Sequence, residues 1–184
     1  GGPQLVEAFK IVLEKFPETK LCIVTSLKLA KERLGNLDQK NIIWKEANLD
    51  DNNIAKLLNN TNCLVHPSLV DSFGVIMLEA LAAGCALIST DISSFEEMNY
   101  NGENGFVFSP PWSAVNKYDF ITEFGNTNYS HRYIETLDLS SLAESLVHYM
   151  TKILKNQRQL RKFMQNSLHI YEKKFSEKVW KEKM

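Results

Sequence analysis

The sequence is short of the residues that staple a chain. Its three cysteines, Cys22, Cys63 and Cys85, are odd in number and show no CxxC spacing. That excludes a disulfide framework or a zinc knuckle. All three lie in or beside apolar runs and read as buried reduced thiols of a cytoplasmic protein. Five prolines and eight glycines in 184 residues are too few for a low-complexity chain. No apolar run approaches the roughly 18–20 residues that span a bilayer, and no signal-peptide pattern is visible. Charge is also nearly absent as a bulk property. There are 21 Lys/Arg against 22 Asp/Glu, so the net charge of −1 gives no whole-chain case for nucleic acid. His131, His148 and His169 have no metal-ligand spacing, and no metal is expected.

What is present is an ordinary globular composition, 44% hydrophobic and 23% charged, at a length that suits one domain with a sizeable core over 1–184. The charge is unevenly spread. Residues 138–184 hold ten Lys/Arg and five Asp/Glu, leaving the rest of the chain at −6. The basic end reads as a solvated helical face, or as attraction to an acidic partner or to an anionic membrane surface, a peripheral contact at the inner face of the membrane. Gly1-Gly2-Pro3 runs almost at once into a helical pattern, as expected of an excised piece.

Helical and strand patterns alternate. Leu5, Phe9, Val12, Leu13 and Phe16 recur at helical spacing between Pro3 and Pro17. Leu21–Thr25 is a short apolar strand. Leu27–Leu34 reads as a helix stopped at Gly35, and Ile42–Trp44 as a second strand. Asp50 or Asp51 caps a helix through Leu58. Cys63–His66, Ala86–Thr90 and Phe106–Phe108 are further strands. Phe73–Ala83 is a nearly all-apolar helix, with one helical turn at Phe95–Asn99. Continuously apolar strands alternating with helices predict an α/β fold with a Rossmann-like parallel sheet covered on both faces. Residues 109–137 break the rhythm and read as an inserted loop, with Trp112, Tyr118, Phe120, Phe124 and Tyr133. Helices follow over 138–184, the first capped by Asp138 and the last by Ser176.

The stretch from His66 to Asn104 carries the chemistry. Ligands bind at the carboxyl ends of strands in open parallel sheets, and the loop His66–Ser72 stands there. Ser72 can cap the following helix. The amides of Phe73, Gly74 and Val75 would then face a phosphate with the positive end of the helix dipole. Gly74 allows close approach of a ligand to the backbone. Glu79 is a lone carboxylate among Met77, Leu78, Ala80 and Leu81, suited to accept from a vicinal diol such as a ribose. Asp71 could accept from a sugar hydroxyl beyond the phosphates. Taken singly, Asp71 is an ordinary turn residue, Glu79 an ordinary solvent-facing position and His66 a packed or capping histidine.

Pro67-Ser68-Leu-Val-Asp71-Ser-Phe73-Gly74-Val-Ile-Met-Leu78-Glu79-Ala80 resembles the signature of retaining glycosyltransferases of the GT-B fold: an acidic residue, seven residues, then Glu. The resemblance continues through Ala82-Ala83-Gly84, Ala86–Ser89, Thr90-Asp91, Glu97 and Gly102-Glu-Asn-Gly105. Asp138 with Leu142-Ala143, and Phe175-Ser176, resemble the closing helices. Only 109–137 falls outside it. It implies the C-terminal, donor-binding domain of a group 1, family 4-like enzyme that transfers a hexose from a nucleotide-sugar. An acceptor domain elsewhere in the same enzyme would take an unknown glycan or lipid-linked acceptor, in polysaccharide or glycoconjugate biosynthesis. A UDP- or GDP-linked sugar is the implied donor, with no separate cofactor. Asp71 and Glu79 would be the catalytic pair. Ser72, Phe73, Gly74, Val75, Ile76, Glu79 and Thr90 would hold the donor. The sequence departs from the pattern at Asp71, usually Glu, at Ser93-Ser94, usually glycines, and at Glu96, often proline. The family's phosphate-binding Arg and Lys would fall upstream of Gly1. This piece alone is expected to transfer no sugar. A nucleotide-sugar epimerase on the same plan and a non-catalytic subunit are the alternatives.

Overall fold

The computed structural model describes residues 1–92, 94–111 and 137–183. Along the chain these form α1 (Gly2–Lys15), β1 (Leu21–Thr25), α2 (Leu27–Leu34), β2 (Ile42–Glu46), α3 (Asp51–Asn59), β3 (Cys63–His66), α4 (Val75–Ala82), β4 (Ala86–Thr90), α5 (Phe95–Met98), β5 (Gly105–Phe108), α6 (Ser140–Lys155), α7 (Gln157–Ile170), a π-helical turn Tyr171–Phe175, and α8 (Glu177–Lys183). The predicted loop aromatics, Trp112 to Tyr133, lie outside the described residues.

Every strand pairing is parallel. β1 pairs with β2, and β3, β4 and β5 form a second sheet in that order. β4 is central, and all five of its residues are buried. Its side chains alternate between two cores. Ala86 and Ile88 join a core built by α1, α6 and α7, while Leu87 joins another built by α3, α4 and α5. This period-2 division is why a continuous apolar run works here: both faces need hydrocarbon. Each fully buried Leu or Ile contributes about 1.5–3 kcal/mol. Gly105 is required by close approach, since a Cβ there would overlap the Leu87 carbonyl across the sheet.

The first core also takes Leu21, Ile23, Ile42, Trp44, Cys63 and Val65, so both sheets share it. The predicted α/β architecture of parallel strands and helices is what is seen, with Val24 of β1 and Ile43 of β2 left exposed on the side away from the shared core. β2 also runs two residues past the predicted end, to Glu46, because Lys45 and Glu46 continue the parallel ladder opposite Val24 and Thr25.

Helix ends follow side-chain chemistry. The Asp50 carboxylate accepts from the Asn53 amide at 2.8 Å, and Asn156 from the Gln159 amide at 3.0 Å. The Asp138 carboxylate accepts from the Ser140 amide at 2.9 Å, which draws its pKa below the usual range. Ser176 precedes α8 with extended backbone (φ −64°, ψ 152°), and its hydroxyl donates back to the Glu172 carbonyl at 2.8 Å, fastening the π-helical turn. α6 and α7 are held on β5 by Phe106, whose ring meets Phe163 edge-on at 5.2 Å and Tyr149 at 5.3 Å.

Candidate functional site

The loop from Pro67 to Gly74 leaves the carboxyl end of β3 and enters α4. It is held from three sides. The buried Thr90 hydroxyl, at the end of β4, donates to the Ser68 carbonyl at 2.7 Å. The Ser94 hydroxyl donates to the Phe73 carbonyl. Within the loop, Asp71 Oδ1 accepts from the amides of Phe73 at 3.0 Å and Gly74 at 2.7 Å. Its Oδ2 lies 3.3 Å from His66 Nε2. His66 in turn rests on the buried Phe95 ring, with centroids 5.1 Å apart. Burial lowers the His66 pKa, and the Asp71 carboxylate partly restores it.

This geometry corrects two expectations, the start of α4 and its cap, and shows what holds the loop. The helix begins at Val75, not Phe73, because Gly74 adopts a left-handed conformation (φ 80°, ψ 47°) as its N-cap. Ser72 is therefore not the cap, and no side chain caps α4 from the N-cap position. The Phe73 and Gly74 amides both donate to the Asp71 carboxylate. Thr90 is wholly buried, with its hydroxyl donating to the Ser68 carbonyl.

Gly74 has a second constraint. A Cβ there would stand 2.5 Å from Phe95 Cε1. Only glycine both tolerates the left-handed backbone and leaves room for the ring.

What remains for a ligand is the first turn of α4 and Glu79. The amides of Val75 and Ile76 open the helix, where no carbonyl of the preceding turn reaches them. The Met77 amide instead closes on the Gly74 carbonyl at 2.8 Å. Val70, Phe73 and Val75 are apolar yet 47%, 45% and 60% exposed, so the mouth of the loop is hydrocarbon facing solvent. Glu79 sits four residues, about one turn, beyond the helix start, with Met77, Ala80 and Leu81 buried around it. It is half-buried. Among the described residues its carboxylate has no hydrogen bond or ion pair. Burial raises its pKa, and the nearby negative charge of Asp51, at the start of α3, raises it further. A carboxylate in that state gains most from a neutral partner that donates two hydrogen bonds.

Behind the loop is a polar layer that the sequence reading passed over. Asn99 donates to the Ser89 hydroxyl at 2.9 Å and to the Phe106 carbonyl at 3.0 Å. Asn104 donates to the Met98 carbonyl at 3.0 Å and accepts from the Tyr100 amide at 2.8 Å. Both side chains are buried and fix the turn between α5 and β5. Asn99 ahead of the Gly102-Glu-Asn104-Gly105 turn and Asn104 within it were the available signal. Among the described residues, no three His, Cys, Asp or Glu side chains gather where a metal ion could be held. No described helix is long and apolar enough to cross a membrane.

Residues 1–135 match the family described as "Glycosyl transferases group 1". The chain is 26% identical over 113 residues to the capsular polysaccharide biosynthesis glycosyltransferase CapM of Staphylococcus aureus. That alignment covers 58% of this chain and 29% of CapM, so the chain spans less than a third of this relative. In fold it is similar to the C-terminal domain of the group 1 glycosyl transferase LpcC of Francisella tularensis. The TM-score is 0.67 at 20% identity, covering 96% of this chain and 80% of that one. It is also similar to the pneumococcal O-GlcNAc transferase GtfA, solved with UDP and GlcNAc. There the TM-score is 0.69 at 15% identity, covering 98% of this chain and 32% of that one. The parallel α/β architecture is that of the GT-B glycosyltransferases, and the chain belongs to the glycosyl transferases group 1 family.

Proposed function

We propose that this chain is the donor-binding domain of a retaining glycosyltransferase, and that Glu79 holds the ribose of a nucleotide-sugar. The observation that carries the reading is the state of Glu79: half-buried, raised in pKa and without a hydrogen-bond or ion-pair partner among the described residues. A ribose diol would supply both missing hydrogen bonds. The diphosphate would lie over the first turn of α4, toward the Val75 and Ile76 amides and the positive end of the helix dipole. Stabilising the departing diphosphate there would be this domain's main contribution to the reaction. Asp71 acts in this reading as a positioning residue. Both its oxygens are engaged in shaping the loop, which leaves the transferred sugar to other groups. The similarity to GtfA, solved with UDP, supports a uridine nucleotide as the first to test.

The test is titration of the chain with UDP and with 2′,3′-dideoxy-UDP. Wild type should bind UDP at least tenfold more tightly than the dideoxy analogue, since a lost charge-assisted hydrogen bond costs about 1.5–3 kcal/mol. Glu79→Gln should lose that preference. Its unfolding midpoint at neutral pH should be unchanged or higher, because a carboxylate with a raised folded pKa destabilises the fold once ionised. Equal binding of the two nucleotides by wild type would remove the ribose from Glu79.

A further inference from the structure

We propose that the exposed face of α7 docks on an anionic lipid surface. This inference is independent of the donor site. Arg158, Arg161, Lys162, Gln165, Leu168 and His169 follow one another at helical spacing, and all are exposed. Leu160, Phe163, Ser167 and Ile170 face the opposite way and are buried. One stripe therefore anchors the helix while the other is free over its length of roughly 20 Å.

The free stripe is cationic without compensation. Residues 145–171 contain Lys152, Lys155, Arg158, Arg161 and Lys162 and no Asp or Glu. Among the described residues the ion pairs are His66–Asp71 and Lys181–Glu177, so none of these five is neutralised. Lys152 is partly used, standing 4.6 Å over the Phe106 ring. The free stripe of α7 thus presents three cations, Arg158, Arg161 and Lys162, with no ion pair among the described residues, on a chain that is −6 outside its last 47 residues. Its complement is a layer of fixed negative charge.

Leu168 favours lipid over a soluble polyanion. It is 41% exposed on the same stripe, one turn past Gln165. A solvated polymer gains nothing from it, whereas a bilayer interface accepts it below the headgroups that the arginines hold. No Phe, Tyr or Trp side chain lies on this stripe to stack a nucleic-acid base.

The experiment is flotation of the chain with vesicles of phosphatidylcholine alone, or with about a third phosphatidylglycerol. Binding should appear only with the anionic vesicles and weaken as salt rises. Replacing Arg158, Arg161 and Lys162 together by Gln should lower the partition coefficient by about tenfold or more. Arg158→Lys with Arg161→Lys should bind as wild type does, which separates charge from damage to the fold. Leu168→Ser should weaken vesicle binding and leave binding to soluble heparin unchanged. Equal binding to both vesicle types, or an unaffected triple variant, would overturn the proposal. Tight heparin binding with no effect of Leu168→Ser on vesicles would assign the face to a soluble polyanion instead.

Discussion

Asp71 Oδ1 lies 2.7 Å from the backbone nitrogen of Gly74 and holds the loop before α4 in its bend. The acidic residue of the signature thus works first on the backbone of its own segment. It serves as a cap from outside the helix, three residues before the left-handed N-cap.

Replacing Asp71 by Ala removes two amide acceptors and the partner of His66. The expected cost is about 1–2 kcal/mol, with α4 fraying at its start. Asn retains an Oδ1 acceptor and should recover most of the loss. Urea unfolding of the three proteins measures this. A stable Asp71→Ala protein with an unchanged midpoint would free Asp71 from the loop.

Gly74→Ala should be more damaging than its size suggests. The left-handed backbone costs about 1–2 kcal/mol for an L-residue. The added methyl also meets the Phe95 ring. Combining it with Phe95→Leu makes room for the methyl and should return part of the stability while the backbone cost remains. Thermal unfolding of the single and double variants would show that partial recovery.

His66 sets a pH dependence. Its folded pKa is lowered, mainly by burial, so the unfolded chain binds the proton more readily. Stability should therefore be full above the unfolded value of about 6.5 and fall as pH drops toward the folded pKa. His66→Gln should flatten the urea midpoint across that window. A midpoint equally steep in wild type and variant would place the titration elsewhere.

The positions of the strands were legible because each is a continuous apolar run between turn residues, and β3 and β4 begin and end where the pattern says. The helix around Glu79 was legible in kind and wrong in its start. Phe73 looked like the first apolar residue of the helix, but the carboxylate two residues earlier competes for its amide. The partner of Thr90 was not legible, because only the three-dimensional path of the loop brings the Ser68 carbonyl over its hydroxyl. The exposure of Val24 and Ile43 was invisible because an apolar strand residue reads the same whether it is buried or faces solvent.

β1 and β3 each have a single hydrogen-bonded neighbour among the described residues. Both are short, apolar and free of acidic or lysine gatekeepers: Leu21-Cys-Ile-Val-Thr25 and Cys63-Leu-Val-His66. Such rims carry unspent hydrogen-bonding capacity and little charge to repel a visitor. β2, by contrast, presents Lys45 and Glu46. Among the described residues, β1 and β3 therefore each keep one edge outside any strand ladder, and the core they share holds their side chains together where backbone pairing does not.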